Sequence, residues 1–142
     1  MKIEKYPLVT CHTEENVDII FADFRDNLNV DLAAATEIVA NRLDFANGKK
    51  HYLIVDVSNV IKVSPEAKAF LQRNDDSLKN ILGTAFIATN PVSAMIANIF
   101  VKTKKNFQAR FFSKKEDALE WIIAYRQKMS NKITVDFGYG KS

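Results

Sequence analysis

The chain has 142 residues, 47% of them hydrophobic, which suits one compact domain with a substantial buried core. Its net charge of +3 is too weak a bias for nucleic-acid binding, which calls for a pronounced basic face and a recognisable module. Cys11 stands alone, so an internal disulfide or a cysteine metal cluster is excluded, and neither a spanning run of about 18 apolar residues nor a signal-peptide core occurs, so a soluble, cytoplasmic protein is expected.

In chain order, YPLVTC within Lys5–His12 is β-prone but broken by Pro7, and VDIIFADF over Val17–Phe24 is more strongly strand-like. The two read as an antiparallel hairpin turning near Thr13–Asn16. From Asp31 the period changes: Leu32, Ala35, Ile38, Val39 and Leu43 recur at helical spacing, with Asp31 as cap and Gly48 as stop. Next comes HYLIVDV, whose consecutive apolar residues Tyr52, Leu53, Ile54 and Val55 are the mark of a strand covered on both faces. Ser58 and Asn59 then supply turn chemistry, and Val60, Ile61 and Val63 read as a crossing loop tucked onto the core.

Ser64-Pro65-Glu66 is a helix start, combining a capping hydroxyl, a proline suited to the first helical position and an acid at the positive dipole end. Ile81–Ala88 predicts another buried strand. Asn90-Pro91 repeats the cap and proline and opens an apolar stripe of Val92, Met95, Ile96, Ile99 and Phe100. Ala109–Phe112 is a short strand, and Ser113 with Glu116 forms a capping box before Ala118, Leu119, Ile122 and Ile123. Strands alternating with helices imply right-handed crossovers. The expected class is therefore α/β, a mostly parallel sheet of about five strands with an N-terminal antiparallel hairpin and about four helices. Residues 1–128 form the single domain; 129–142 are a tail that adds an edge strand through ITVDF or frays.

The order of elements, the strand YLIVDVSNV leading by a short loop into a helix, and the ending ARFFSKKEDALEWI resemble the SpoIIAA-like group of small bacterial proteins, related in fold to STAS domains and anti-sigma-factor antagonists. The resemblance spans Val17–Tyr125. It implies a STAS-like fold and a regulatory, protein-binding role, in which a serine at the start of the helix after the central strand is phosphorylated. Laid on this chain, the motif puts Asp56 on the strand-ending aspartate, Ser64 on the aspartate before the phosphoacceptor and Pro65 on the phosphoacceptor itself. The architecture is also similar to CRAL-TRIO lipid-binding domains, which implies an apolar ligand as the alternative.

Candidate functional residues gather at the carboxyl edge of the central strand, where open α/β sheets place ligand sites. Asp56, Ser58, Asn59, Ser64, Glu66 and Phe70 form the expected partner or ligand edge. Ser64 and Ser58 are the candidate phosphorylation sites, although capping explains Ser64 and a hydrogen bond to the following loop explains Asp56. Met95, Ile99 and Trp121 are expected to line an apolar-ligand site. Lys102, Lys104, Lys105, Arg110, Lys114 and Lys115, interleaved with Phe107 and Phe112, form a candidate basic patch for an anionic membrane surface or an acidic partner. His12 and His51 show no metal spacing, no phosphate-binding glycine loop occurs, and no catalytic set or cofactor is expected. The first reading is thus a non-enzymatic regulatory module that binds a protein partner or forms a homodimer.

Overall fold

Apolar residues at successive positions of the central strands leave two layers of side chains to cover, one on each face, and that requirement organises the molecule. The computed structural model describes residues 1–73 and 75–136. In chain order the elements are β1 (Ile3–Lys5), β2 (Val9–His12), β3 (Ile19–Phe24), β4 (Leu28–Val30), α1 (Leu32–Ala46), β5 (His51–Asp56), β6 (Val60–Val63) and α2 (Pro65–Leu71). A 3-10 turn at Asp76–Leu78 follows, then β7 (Ile81–Ile87), α3 (Pro91–Lys102), β8 (Ala109–Phe112) and α4 (Lys115–Asp136).

The main sheet has six strands in the order β1-β2-β3-β5-β7-β8; the first two pairings are antiparallel and the remaining three parallel. It is the mostly parallel sheet with an antiparallel start that the pattern predicts, extended at one edge by β1. The crossing loop after β5 is itself a strand: β6 pairs in parallel with β4 as a small second sheet.

From β3 to β8 the parallel strands advance in one direction. Right-handed crossovers then put every connecting helix on the same face. The packing agrees: Ala35, Phe45 and Ala46 of α1, Ala67 of α2 and Ala97 of α3 share one core with Ile20, Ala22, Leu53 and Val55. On the opposite face of β3, β5 and β7, Ile19, Phe21, Tyr52, Ile54, Ala85 and Ile87 meet Ala118, Ile122 and Tyr125 of α4, the one helix packed on that face among the described residues. Alternation along β3 and β5 thus feeds two separate cores.

The helix starts follow local chemistry. Asp31 accepts from Ala34 N at 2.8 Å, Ser64 from Ala67 N at 3.1 Å, and Asn90 and Ser93 cap each other reciprocally with Pro91 in the first turn. At the end of α1 the left-handed turn is shared by Asn47 (φ 51°) and Gly48 (φ 78°). The start of α4 differs from expectation: the carbonyl of Lys114 accepts from Ala118 N, so Lys114 takes the cap position assigned to Ser113. Its end differs too. Residues 129–136, read as part of a tail that adds an edge strand through ITVDF or frays, continue the 22-residue helix to Asp136, and the remainder of that segment, 137–142, lies outside the described residues. A helix already nucleated gains one hydrogen bond for each residue it adds, which outweighs the weak strand preference of Ile133, Thr134 and Val135. Among the described residues no helix is long and apolar enough to cross a membrane.

Candidate functional site

The loop–helix edge expected around Asp56 is a set of structural ties. Half-buried Asp56 accepts the Ser58 N–H at 2.9 Å. Exposed Asn59 donates to Phe24 O at 3.1 Å, and Asn90 donates to Ser58 O at 2.9 Å, pinning the loop between β3 and the start of α3. Ser58 Oγ is buried without a partner, Ser64 Oγ caps α2 with Pro65 beside it, and Glu66 is exposed. Phe70 packs against the core on its α2 side, with Arg73 over its ring at 5.6 Å.

On the α4 face the same strand edge opens into a polar cleft of about 380 Å³. Parallel register sets Asp23 opposite Asp56. His12 stacks on Phe21, its Nδ1 lies 3.9 Å from Asp23 and its Nε2 2.9 Å from Glu14, whose other partner is Lys115 at the start of α4. Burial raises the Asp23 carboxyl, against the opposing pull of His12, and nearby Asp56 raises it further. The hydrogen bonds from Lys115 and His12 hold Glu14 below its usual range. Titratable neighbours therefore stand near Asp56. They come from β2 and the loop after it, from β3 and from the start of α4. No group of three or more His, Cys, Asp or Glu suited to a metal ion occurs among the described residues.

A smaller but more apolar space lies on the other face. Between the sheet and the α1–α3 layer is a cavity of about 150 Å³, lined by Val9 and Cys11 of β2, Ala22 and Phe24 of β3, Leu53 and Val55 of β5, Val39 of α1, and Ile96 and Phe100 of α3. The described parallel strands do not reverse their order, and this apolar space lies beneath the helices, apart from the polar cleft at the strands' carboxyl ends. Burial pushes the Cys11 thiol up to about 11, which keeps it protonated and unreactive near neutral pH. Arg42 also lines the cavity, on the buried face of α1 and only 7% exposed. Its guanidinium holds the carbonyls of Ser77 at 2.8 Å and Lys79 at 2.9 Å, so it fastens the 3-10 segment to α1. Burial lowers its pKa to about 10, still well above neutrality.

The expected apolar lining is corrected by this geometry. Met95 is 63% exposed, Ile99 is half-buried, and Trp121 lies across the sheet on α4, stacked on Tyr125 at 5.3 Å. The reason is that α3 packs through its small residues, Ser93 and Ala97, which turns Met95 outward and gives the cavity to Ile96 and Phe100. The basic residues likewise divide. Lys102 ends α3 and Lys104 and Lys105 follow it at the amino edge of the parallel strands, while Lys114 and Lys115 follow β8 at the carboxyl edge. Lys105 Nζ is engaged by the carbonyls of Phe100, Val101 and Thr103, and Arg110 lies over Phe112 and Trp121 on the α4 face.

Comparison with known proteins agrees with this architecture. A crystal structure of an uncharacterized protein of the DUF3478 family with a SpoIIAA-like fold, from Shewanella loihica PV-4, superposes with a TM-score of 0.56 at 14% identity, covering 80% of this chain and 90% of that one. That similarity establishes the fold as SpoIIAA-like. No curated protein matches the sequence. Residues 13–126 match the model of a domain of unknown function, DUF7793, and with most of its length inside that match the chain belongs to the DUF7793 family.

Proposed function

We propose that this domain is a non-enzymatic, cytoplasmic binding module whose ligand is a small apolar molecule held between the sheet and the α1–α3 layer. The observation that carries this reading is the cavity of about 150 Å³ with its valine, leucine, isoleucine and phenylalanine walls. Apolar cavities on the order of this size stay dry and take up a molecule as large as benzene, whereas sites for drug-sized ligands run to roughly 300 Å³ or more. The ligand is accordingly a ring or a short acyl chain. Its binding would stabilise the helical layer against the sheet and so give the module a regulated state.

The test uses methyl-labelled protein titrated with 1-hexanol and followed by NMR. Saturable shifts at Leu53, Val55 and Ile96, with Ile122 in the α4 core unmoved, are expected. Uniform or non-saturating shifts would end the reading. Ala22→Leu, which fills the space, should abolish the shifts while the protein remains folded.

A regulatory protein-interaction role is the second reading, and exposed apolar surface favours it. Ile61 of β6 is 49% exposed, and Val92 and Met95 of α3 are 45% and 63% exposed, on two elements that pack together. Light scattering across a concentration series should then show a wild-type dimer that Met95→Glu dissociates; a monomer at every concentration would remove the homodimer from consideration.

A further inference from the structure

The cavity wall contains cationic side chains and no carboxylate. Arg42 and Lys105 both contribute to it, and among the described residues no aspartate or glutamate does. Lys105 is fully engaged: its ammonium has three donors, and the carbonyls of Phe100, Val101 and Thr103 accept them at 3.1, 3.1 and 2.6 Å, closing the end of α3. Arg42 keeps a donor in reserve. Its Nη atoms donate to Ser77 O, Lys79 O and, at 3.4 Å, Asp76 O, but its buried Nε meets no acceptor among the described residues. No carboxylate pairs with this guanidinium among the described residues, since the ion pairs present there involve other groups. A buried cation with an unspent N–H and no counter-charge carries a desolvation cost that a bound anion would offset, and the planar guanidinium suits a carboxylate.

We propose that the ligand is an anionic amphiphile, an apolar body of ring or short-acyl size bearing one carboxylate, with the body in the cavity and the carboxylate on Arg42. The inference rests on the apolar-cavity reading and adds the head group to it. Recognition of this kind would discriminate a short carboxylic acid from the alcohol of equal length, because the alcohol leaves the cation uncompensated.

Calorimetric titration of the full chain at neutral pH with hexanoate and, separately, 1-hexanol tests both levels. Hexanoate is expected to bind at least about tenfold more tightly than hexanol. Equal affinities, or tighter binding of the alcohol, would overturn the head-group assignment while leaving the cavity reading intact; binding of neither would overturn both. In Arg42→Met, hexanoate should lose its advantage over hexanol measured on the same variant, and undiminished hexanoate binding by a folded variant would contradict the role of Arg42. Should that variant fail to fold, because Arg42 also holds the 3-10 segment, the two ligands compared on the wild-type protein decide the matter alone.

Discussion

Gly83 shows how one missing methyl sets the packing of the α4 layer. A Cβ at this position would lie 2.5 Å from a ring carbon of Tyr125, and that ring is held by its stack on Trp121 and by the bond its hydroxyl accepts from Gln108 N. Gly83→Ala is therefore expected to destabilise the fold by about 1–3 kcal/mol, read from urea unfolding. Ser64 is a second single-residue test. As an N-cap it should lose about 0.5–2 kcal/mol on change to alanine, whereas Ser64→Asp, an equally good cap, should unfold close to the wild type. Loss of stability in both variants would mean the hydroxyl does something other than cap. His51 supplies the pH dependence. It is 2% exposed, its Nδ1 lies 2.9 Å from Lys49 O, and burial lowers its pKa. With the folded value below the unfolded one, the unfolded chain takes up the proton first, so stability present above pH 6.5 declines as pH falls through that value toward the folded pKa. His51→Gln should flatten this limb of the stability profile; an identical slope in the variant would assign the dependence elsewhere.

At the scale of elements, the parts legible from sequence were those fixed by neighbours in the chain. Asp31, Ser64-Pro65 and Asn90-Pro91 mark helix starts because a cap acts over three residues, and Tyr52–Val55 marks a core strand because burial on both faces leaves a continuous apolar run. Elements fixed by distant partners were not legible. β1 is exposed at every position and exists by pairing with β2, while β4 and β6 are short segments that define each other. The polar cleft was hidden for the same reason: Asp23 meets Asp56 through sheet register, and Lys115 reaches Glu14 from the far end of the chain. The cavity itself depends on how three helices lie over the sheet, and the outward turn of Met95 follows from the small-residue face of α3. Asn90 should carry a measurable share of α3, since its side chain takes the Ser93 N–H and also fastens Ser58 O. Asn90→Ala is expected to cost about 1–2 kcal/mol and to raise amide exchange in the first turn of α3. Protection unchanged at Ser93 would argue against this.

Taken whole, the molecule is asymmetric about its sheet. One face is sealed by α4, whose Ile122 is fully buried; the other is covered by α1, α2 and α3, with the apolar space between these helices and the sheet. A single direction of strand advance produces both features, because it stacks every crossover on one side and leaves the final helix to close the other. The family match establishes kinship with domains of unknown function and the structural match establishes the fold, so the case for a role comes from the space under the helices. The most direct measurement is a crystal structure of the protein grown with 1-hexanol near saturation. The account predicts electron density for the alcohol between Leu53, Val55, Ile96 and Phe100. A cavity that stays empty, or an alcohol found only on the outer surface, would contradict it.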